Sequence, residues 1–260
     1  MTVALPLPPQ DGPVPVDWQG LPVSCETCEH SRPNARARCE PGTACVHDRY
    51  SLRIVRFFTW NPRLADQWLA HPYFEVRAVA ARHANLFRLA ALLQDPDETV
   101  RSSVALRVPQ SLLRTLMNDP HREVRIRVAQ RLAPGLLIGM LKDRDYYVRV
   151  WVARRIPSTF LARMTEDAES EVRAEVAERL SPGALNLLLR DPDPRIRRSV
   201  ARRAPNNLLA VLAQDPAWEV RWEVAQRGSE SLCEQLKQDP EAEVRGAATQ
   251  RLAELRGPTG

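Results

Sequence analysis

The dipeptide Val-Arg recurs at Val76-Arg77, Val100-Arg101, Val124-Arg125, Val148-Arg149 and Val172-Arg173. It continues as Ile196-Arg197, Val220-Arg221 and Val244-Arg245, always at a spacing of 24 residues. A fixed period of this size marks a solenoid, in which each unit buries its apolar face only against its neighbours. A degenerate further copy starts at Leu52-Arg53, with Trp68-Leu69 in the later Leu positions.

Punctuation inside the unit predicts its local structure. Asp95-Pro96, Asp119-Pro120, Asp191-Pro192, Asp215-Pro216 and Asp239-Pro240 read as an N-cap carboxylate followed by Pro at the first helical position. About twelve residues later an Arg (Arg107, Arg131, Arg155, Arg179, Arg203, Arg227, Arg251) stands in the last turn, where it complements the carbonyl end of the helix dipole. Apolar residues at the Val and at +4, +5 and +8 from it, as in Val124, Val128, Ala129 and Leu132, fall on one arc of the helix.

The remaining residues of each unit carry Leu-Leu-x-x-Leu, as in Leu112, Leu113 and Leu116. Known two-helix repeats need roughly 33 to 47 residues, so the second helix is expected to be cut short to a 3₁₀ helix. The period lies in the leucine-rich-repeat range, yet neither that family's strand signature nor a period-2 window occurs. An all-α solenoid follows.

Three segments result. Residues 1–22 hold six prolines, Pro6, Pro8, Pro9, Pro13, Pro15 and Pro22, and are expected to form an extended arm. Residues 23–50 gather Cys25, Cys28, Cys39 and Cys45 on short polar loops, and residues 51–260 form the solenoid. In a reducing compartment such a cluster reads as metal binding before disulfides. Four thiolates suit tetrahedral zinc or an iron-sulfur cube. The wide Cys39 to Cys45 gap fits the larger cube better than a zinc ribbon, with zinc and unligated thiols as the alternatives. Arg32, Arg36, Arg38 and Arg49 are placed to offset thiolate charge; His30 and His47 read as outer groups or solvent-facing. The fifth cysteine, Cys233, takes a Leu position of the short helix and reads as an inert core thiol.

These motifs resemble the leucine-rich repeat variant proteins. The likeness rests on the Asp-Pro-x-x-x-Val-Arg-x-x-Val-Ala-x-Arg-Leu repeats over residues 71–252 and on the four-cysteine module. It implies alternating α and 3₁₀ helices in a right-handed superhelix, with a 4Fe-4S cluster in the N-terminal module. Departures are local: His71 replaces the capping Asp, Arg144 and Ala168 replace Pro, and Ala248-Thr249 replaces Val-Ala.

Charge bears on partners. Only two of the 37 basic residues are Lys, and the formal net charge of +5 divides as −2 over residues 1–22, 0 over 23–51 and +7 over 52–260. An Arg-rich solenoid raises a nucleic-acid reading. The Arg after each Val, however, lies inside the apolar arc and needs a partner, for which the repeating Asp of a neighbouring unit is the candidate. Arg82, Arg122, Arg127, Arg154, Arg198 and Arg202 remain for a phosphate-binding groove. Tyr146, Tyr147, Trp151, Trp218 and Trp222 fall outside the arc and have the composition of a protein-interaction surface. No nucleophile–base set, Gly-rich phosphate loop or His/carboxylate cluster is present, so no enzyme and no small-molecule substrate are expected. The N-terminus lacks a basic segment ahead of an apolar run, and no apolar stretch reaches membrane-spanning length, so a cytoplasmic protein is expected. The function expected is that of a non-enzymatic iron-sulfur scaffold binding an unidentified protein, with nucleic acid as the alternative partner. The cluster would act as cap, redox sensor or electron relay.

Overall fold

A computed structural model describes residues 12–26, 28–31 and 37–257. The chain divides into two compact units, residues 1–132 and 133–260. Among the described residues there is no strand, only the isolated bridges Val16↔Pro22 and Glu40↔Ala44. Among the described residues no helix is long and apolar enough to cross a membrane.

The first unit carries the cysteine module and then long helices at Ser51–Trp60, Phe74–Ala81, Glu98–Ala105 and Arg122–Arg131. Between them lie 3₁₀ helices at Pro62–Trp68 and Leu86–Leu92, and a mixed turn at Gln110–Leu113 and Arg114–Leu116. In the second unit, long helices at Tyr146–Arg155, Ser170–Arg179, Pro194–Arg203, Trp218–Arg227 and Ala242–Arg256 follow the same alternation. Its short helices are 3₁₀ at Pro134–Met140, Ser158–Met164 and Pro182–Leu188, but α-helical at Asn206–Leu212 and Glu230–Leu236. The expected 3₁₀ geometry therefore holds in most copies; over one or two turns the two forms differ only by a one-residue shift of hydrogen-bond acceptor.

The predicted arc is the core. Val100, Val104, Ala105 and Val108 are buried, as are their counterparts Val172, Val176, Ala177 and Leu180. Each buried Val is worth about 1.5–3 kcal/mol relative to exposure. Leu89, Leu113, Leu137, Leu161, Leu185 and Leu209 of the short helices fill the space beneath, and Cys233 occupies the next such slot, fully buried.

Both Arg ladders are structural, with one correction each to their sequence reading. The Arg after Val forks onto the Asp of the following unit. Arg77 reaches Asp95, Arg101 Asp119, Arg149 Asp167, Arg173 Asp191, Arg197 Asp215 and Arg221 Asp239, each with a 2.7–2.8 Å bond from Nε to Oδ2. The third nitrogen turns back to its own unit, as Arg101 Nη1 donates to the carbonyls of Asp95 (2.7 Å) and Pro96 (3.2 Å).

That Asp is not the helix N-cap. Its Oδ1 accepts the backbone N–H two residues on, as Asp95 does from Asp97 at 3.0 Å, and the helix starts later, capped at Asp97. The carboxylate is fully engaged by the Arg fork and the turn, so the cap passes to the second position, where Asp97, Asp145 and Asp193 carry it out.

The second ladder does not close its own helix. Arg107 Nη1 donates to Ala81 and Ala84, Arg131 to Ala105 and Val108, and Arg227 to Ala201, the carbonyls ending the preceding unit's helix. Side chains long enough to span one unit satisfy orphan carbonyls there that their own helix does not offer.

Candidate metal centre

The described residues between 12 and 50 have little regular structure, and hydrogen bonds together with the buried Ala44, Cys45 and Val46 hold them to the first repeat. Arg53 stands in ladder register but finds His71 where later units have Asp. The His71 side chain keeps only the turn function, its Nδ1 accepting the Tyr73 N–H at 3.1 Å. Arg53, fully buried, turns into the module. It donates to the equally buried Asp48 carboxylate (2.7 Å), to Gly42 O (2.8 Å) and to Pro13 O (2.6 Å). Gly42 has a φ of +77°, a left-handed turn conformation that aims this carbonyl at no cost in Cβ strain.

Two further ties complete the joint. Asn61, which ends the first long helix, exchanges 2.7 Å hydrogen bonds in both directions with the backbone of Arg38, and Cys45 N donates to Arg53 O at 3.1 Å. Residues 12–22 also reach the module, through Arg49 N to Val16 O (2.9 Å) and Val23 N to Pro15 O (3.3 Å). Residues 1–11 lie outside the described residues.

All four cysteines of the module are described. Cys45 is buried, and Cys25, Cys28 and Cys39 are half-buried. A hydrogen bond between Cys39 and Cys45 raises the first thiol far above its ordinary value and lowers the second to about 7. The backbone N–H groups of His47 and Asp48 also donate to Cys45, favouring its thiolate. Burial raises Cys25, followed by repulsion from Cys45 and Cys28. The four sulfurs thus feel one another, although among the described residues no three His, Cys, Asp or Glu groups converge on a single ion position. Soft thiolates with backbone N–H donors at sulfur are the chemistry an iron-sulfur cube requires, so the donor set fits.

The surroundings differ from the sequence expectation. The Arg38 guanidinium stacks over Trp60, 5.4 Å from the ring centroid, and Arg32 and Arg36 lie outside the described residues. His30 and His47 are half-buried rather than solvent-facing. They pack in an aromatic cluster with Phe57, Trp68 and His71, with His30–Phe57 centroids 5.2 Å apart and His47–Trp68 5.3 Å apart. Burial lowers all three histidines. Sequence reasoning assigned Trp68 to a core Leu slot and missed this cluster; the break of the Asp register at His71 was its only signal.

The other sequence-predicted surface residues are also placed. Arg154 pairs with Glu175, Arg198 with Glu223, Arg202 with Glu178 and Arg122 with Glu123, so four of the six arginines set aside for phosphate already hold carboxylates. Tyr146, Tyr147 and Trp218 are exposed. Trp151 and Trp222 are half-buried beneath Arg154 and Arg198, with guanidinium-to-ring distances of 5.3 and 5.5 Å.

Fold and site together define an α-solenoid of α/3₁₀ units that carries a four-cysteine module on its first repeat. A family model described as "LRV protein FeS4 cluster" matches residues 15–67, and one described as "Leucine rich repeat variant" matches residues 171–193. A solved protein described as a leucine-rich repeat variant with a novel repetitive structural motif is 42% identical, with a TM-score of 0.82 over 88% of this chain and 99% of that one. An uncharacterized 27.7 kDa protein from the nifB 3′ region of Rhodobacter capsulatus is 48% identical over 99 residues, covering 38% of this chain and 40% of that protein's length. The chain belongs to the leucine-rich repeat variant family, and its cofactor is a 4Fe-4S cluster rather than zinc.

Proposed function

We propose that the protein is a non-enzymatic scaffold for a protein partner. Cys25, Cys28, Cys39 and Cys45 hold the 4Fe-4S cluster, which caps the solenoid's open first repeat. The observation that carries this reading is Arg53, a ladder residue that donates into the module at Asp48, Gly42 and Pro13. A terminal solenoid unit needs a cap, because its inner face has no neighbour. When bound, the cluster would supply four iron–thiolate bonds that cross-link loops with little regular structure and few buried apolar residues. The chain's residues do the rest: Asn61 and Arg53 fasten the loops, and the His47 and Asp48 amides stabilise the Cys45 thiolate.

Exposed Tyr146, Tyr147 and Trp218 support the scaffold half of the reading, since such aromatics anchor protein interfaces. The nucleic-acid alternative draws less support because Glu residues already occupy Arg154, Arg198 and Arg202. Binding to duplex DNA that falls steeply with added salt would revive it.

The test is thermal unfolding of anaerobically purified protein with its cluster against the same protein stripped by a chelator, with iron and sulfide quantified in both. The loaded form is expected to contain about four irons per chain and to unfold several degrees higher. Equal melting temperatures, together with a reversible redox couple, would discard the cap in favour of an electron relay.

A further inference from the structure

Leu86 and Phe87 interrupt the repeat pattern. The register of Phe87 is held elsewhere by Ser111, Gly135, Thr159, Gly183, Asn207 and Ser231, all small or polar. The position before it is Gln, Pro, Ser, Asn or Glu in the same units, against Leu86 here. The solenoid therefore has no need of large apolar side chains at this point. Burial does not explain them either: Phe87 is 93% exposed, the highest value among the exposed large apolar side chains described, and Leu86 is 46% exposed.

They flank a groove of about 630 Å³ within the first unit, between the Leu86–Leu92 helix and the start of the next short helix. Val108, Pro109 and Leu112 give it an apolar floor. Its charged members are Arg107 and Arg131, and no carboxylate lines it. Both guanidiniums spend Nη1 on backbone carbonyls, and among the described residues neither has an ion-pair partner. Burial lowers Arg131 with no opposing carboxylate. An apolar trough with two unneutralised guanidiniums and no acid is complementary to an apolar side chain flanked by carboxylates.

Resting on the scaffold reading above, we propose that this groove docks an acidic segment of a partner protein. An apolar side chain of that segment packs on Leu86 and Phe87, and its carboxylates meet Arg107 and Arg131. The ladder bonds of both arginines hold their forks in place before the partner arrives, which lowers the ordering cost of binding.

The test uses the full chain and fluorescein-labelled hexapeptides in which two leucines are flanked on each side by two glutamates, or by two lysines. Phe87→Ser installs the residue found at this register in Ser111 and Ser231, so it leaves the fold intact. The glutamate peptide is expected to raise fluorescence anisotropy on the parent, to bind about tenfold more weakly to Phe87→Ser, and to outcompete the lysine peptide. No binding up to about 1 mM, or equal binding of the two peptides, overturns the proposal. Equal affinity for parent and Phe87→Ser overturns the groove while leaving the scaffold reading in place. Self-association of the parent in sedimentation, lost in Phe87→Ser, overturns it in favour of a second copy of this chain.

Discussion

Arg53 and Arg101 occupy the same register in different copies of the repeat, yet they belong to different machines. Arg101 forks onto Asp119 of the next unit and keeps its third nitrogen for its own turn. Arg53 has no such Asp, because His71 stands there, and it points backward into Asp48, Gly42 and Pro13. One substitution in the register thus converts a link between like units into a joint between unlike ones. The chain needs no separate linker chemistry for the module, since the guanidinium that fits one repeat to another also fits a loop carbonyl.

The comparison predicts a graded set of effects. Arg53→Met should be the most damaging, because it strands the fully buried Asp48 carboxylate. The loss is about 3–5 kcal/mol, read from denaturant midpoints, and iron content should fall with it. An unchanged iron content would mean that the joint and the cluster are independent.

Asp119→Ala should cost about 3 kcal/mol, the lower end of the same range, because the Arg101 fork retains some solvent contact. Arg101→Lys should recover little of the fork, since an ammonium cannot bond both oxygens in parallel. A double-mutant cycle in which Arg101 and Asp119 prove additive would break the assignment of the rung. Asp97→Ala removes only a cap and should cost about 1 kcal/mol.

The smallest effect is one of pH. Burial lowers His71, and also His83, whose ring stacks on Phe58 at 6.4 Å, below their ordinary value. Below about pH 6.5 the unfolded chain takes up protons that the folded chain refuses. Stability is therefore full above that value and declines as pH falls from it towards the depressed folded pKa. The decline should be shallow, and His71→Gln should flatten it; a stability that rises on acidification through this window would contradict the placement of both rings.

Much of this was legible before any coordinate. The period, the apolar arc and the Leu slot of Cys233 all follow from counting, because a residue in a solenoid meets the same neighbours at every turn. The pairing of the ladder Arg with a neighbouring Asp followed from the cost of an unpartnered charge in that arc. The cap position was misread because an Asp before Pro serves a helix N-terminus equally well, and only the demand of the Arg fork moves the cap to Asp97. The aromatic cluster of His30, His47, Trp68 and His71 was not legible. It forms across loops whose geometry no period governs, and Trp68 passes for an ordinary core residue in its own repeat. Phe87 breaks a polar register, a signal the sequence reading passed over, and it gains meaning only with Arg107 and Arg131 beside it.

Each rung joins a unit only to the one that follows it, and each carbonyl clamp reaches only to the one before. Among the units joined by these rungs, excising or duplicating one whole unit would present each rung Arg with an equivalent Asp. Lineages of this chain can therefore lengthen or shorten by recombination between repeats without a compensating mutation. The unit containing Arg53 and His71 departs from this pattern, because its ladder Arg pairs with the cysteine module and not with a following Asp. It should be the point from which variation in length is counted.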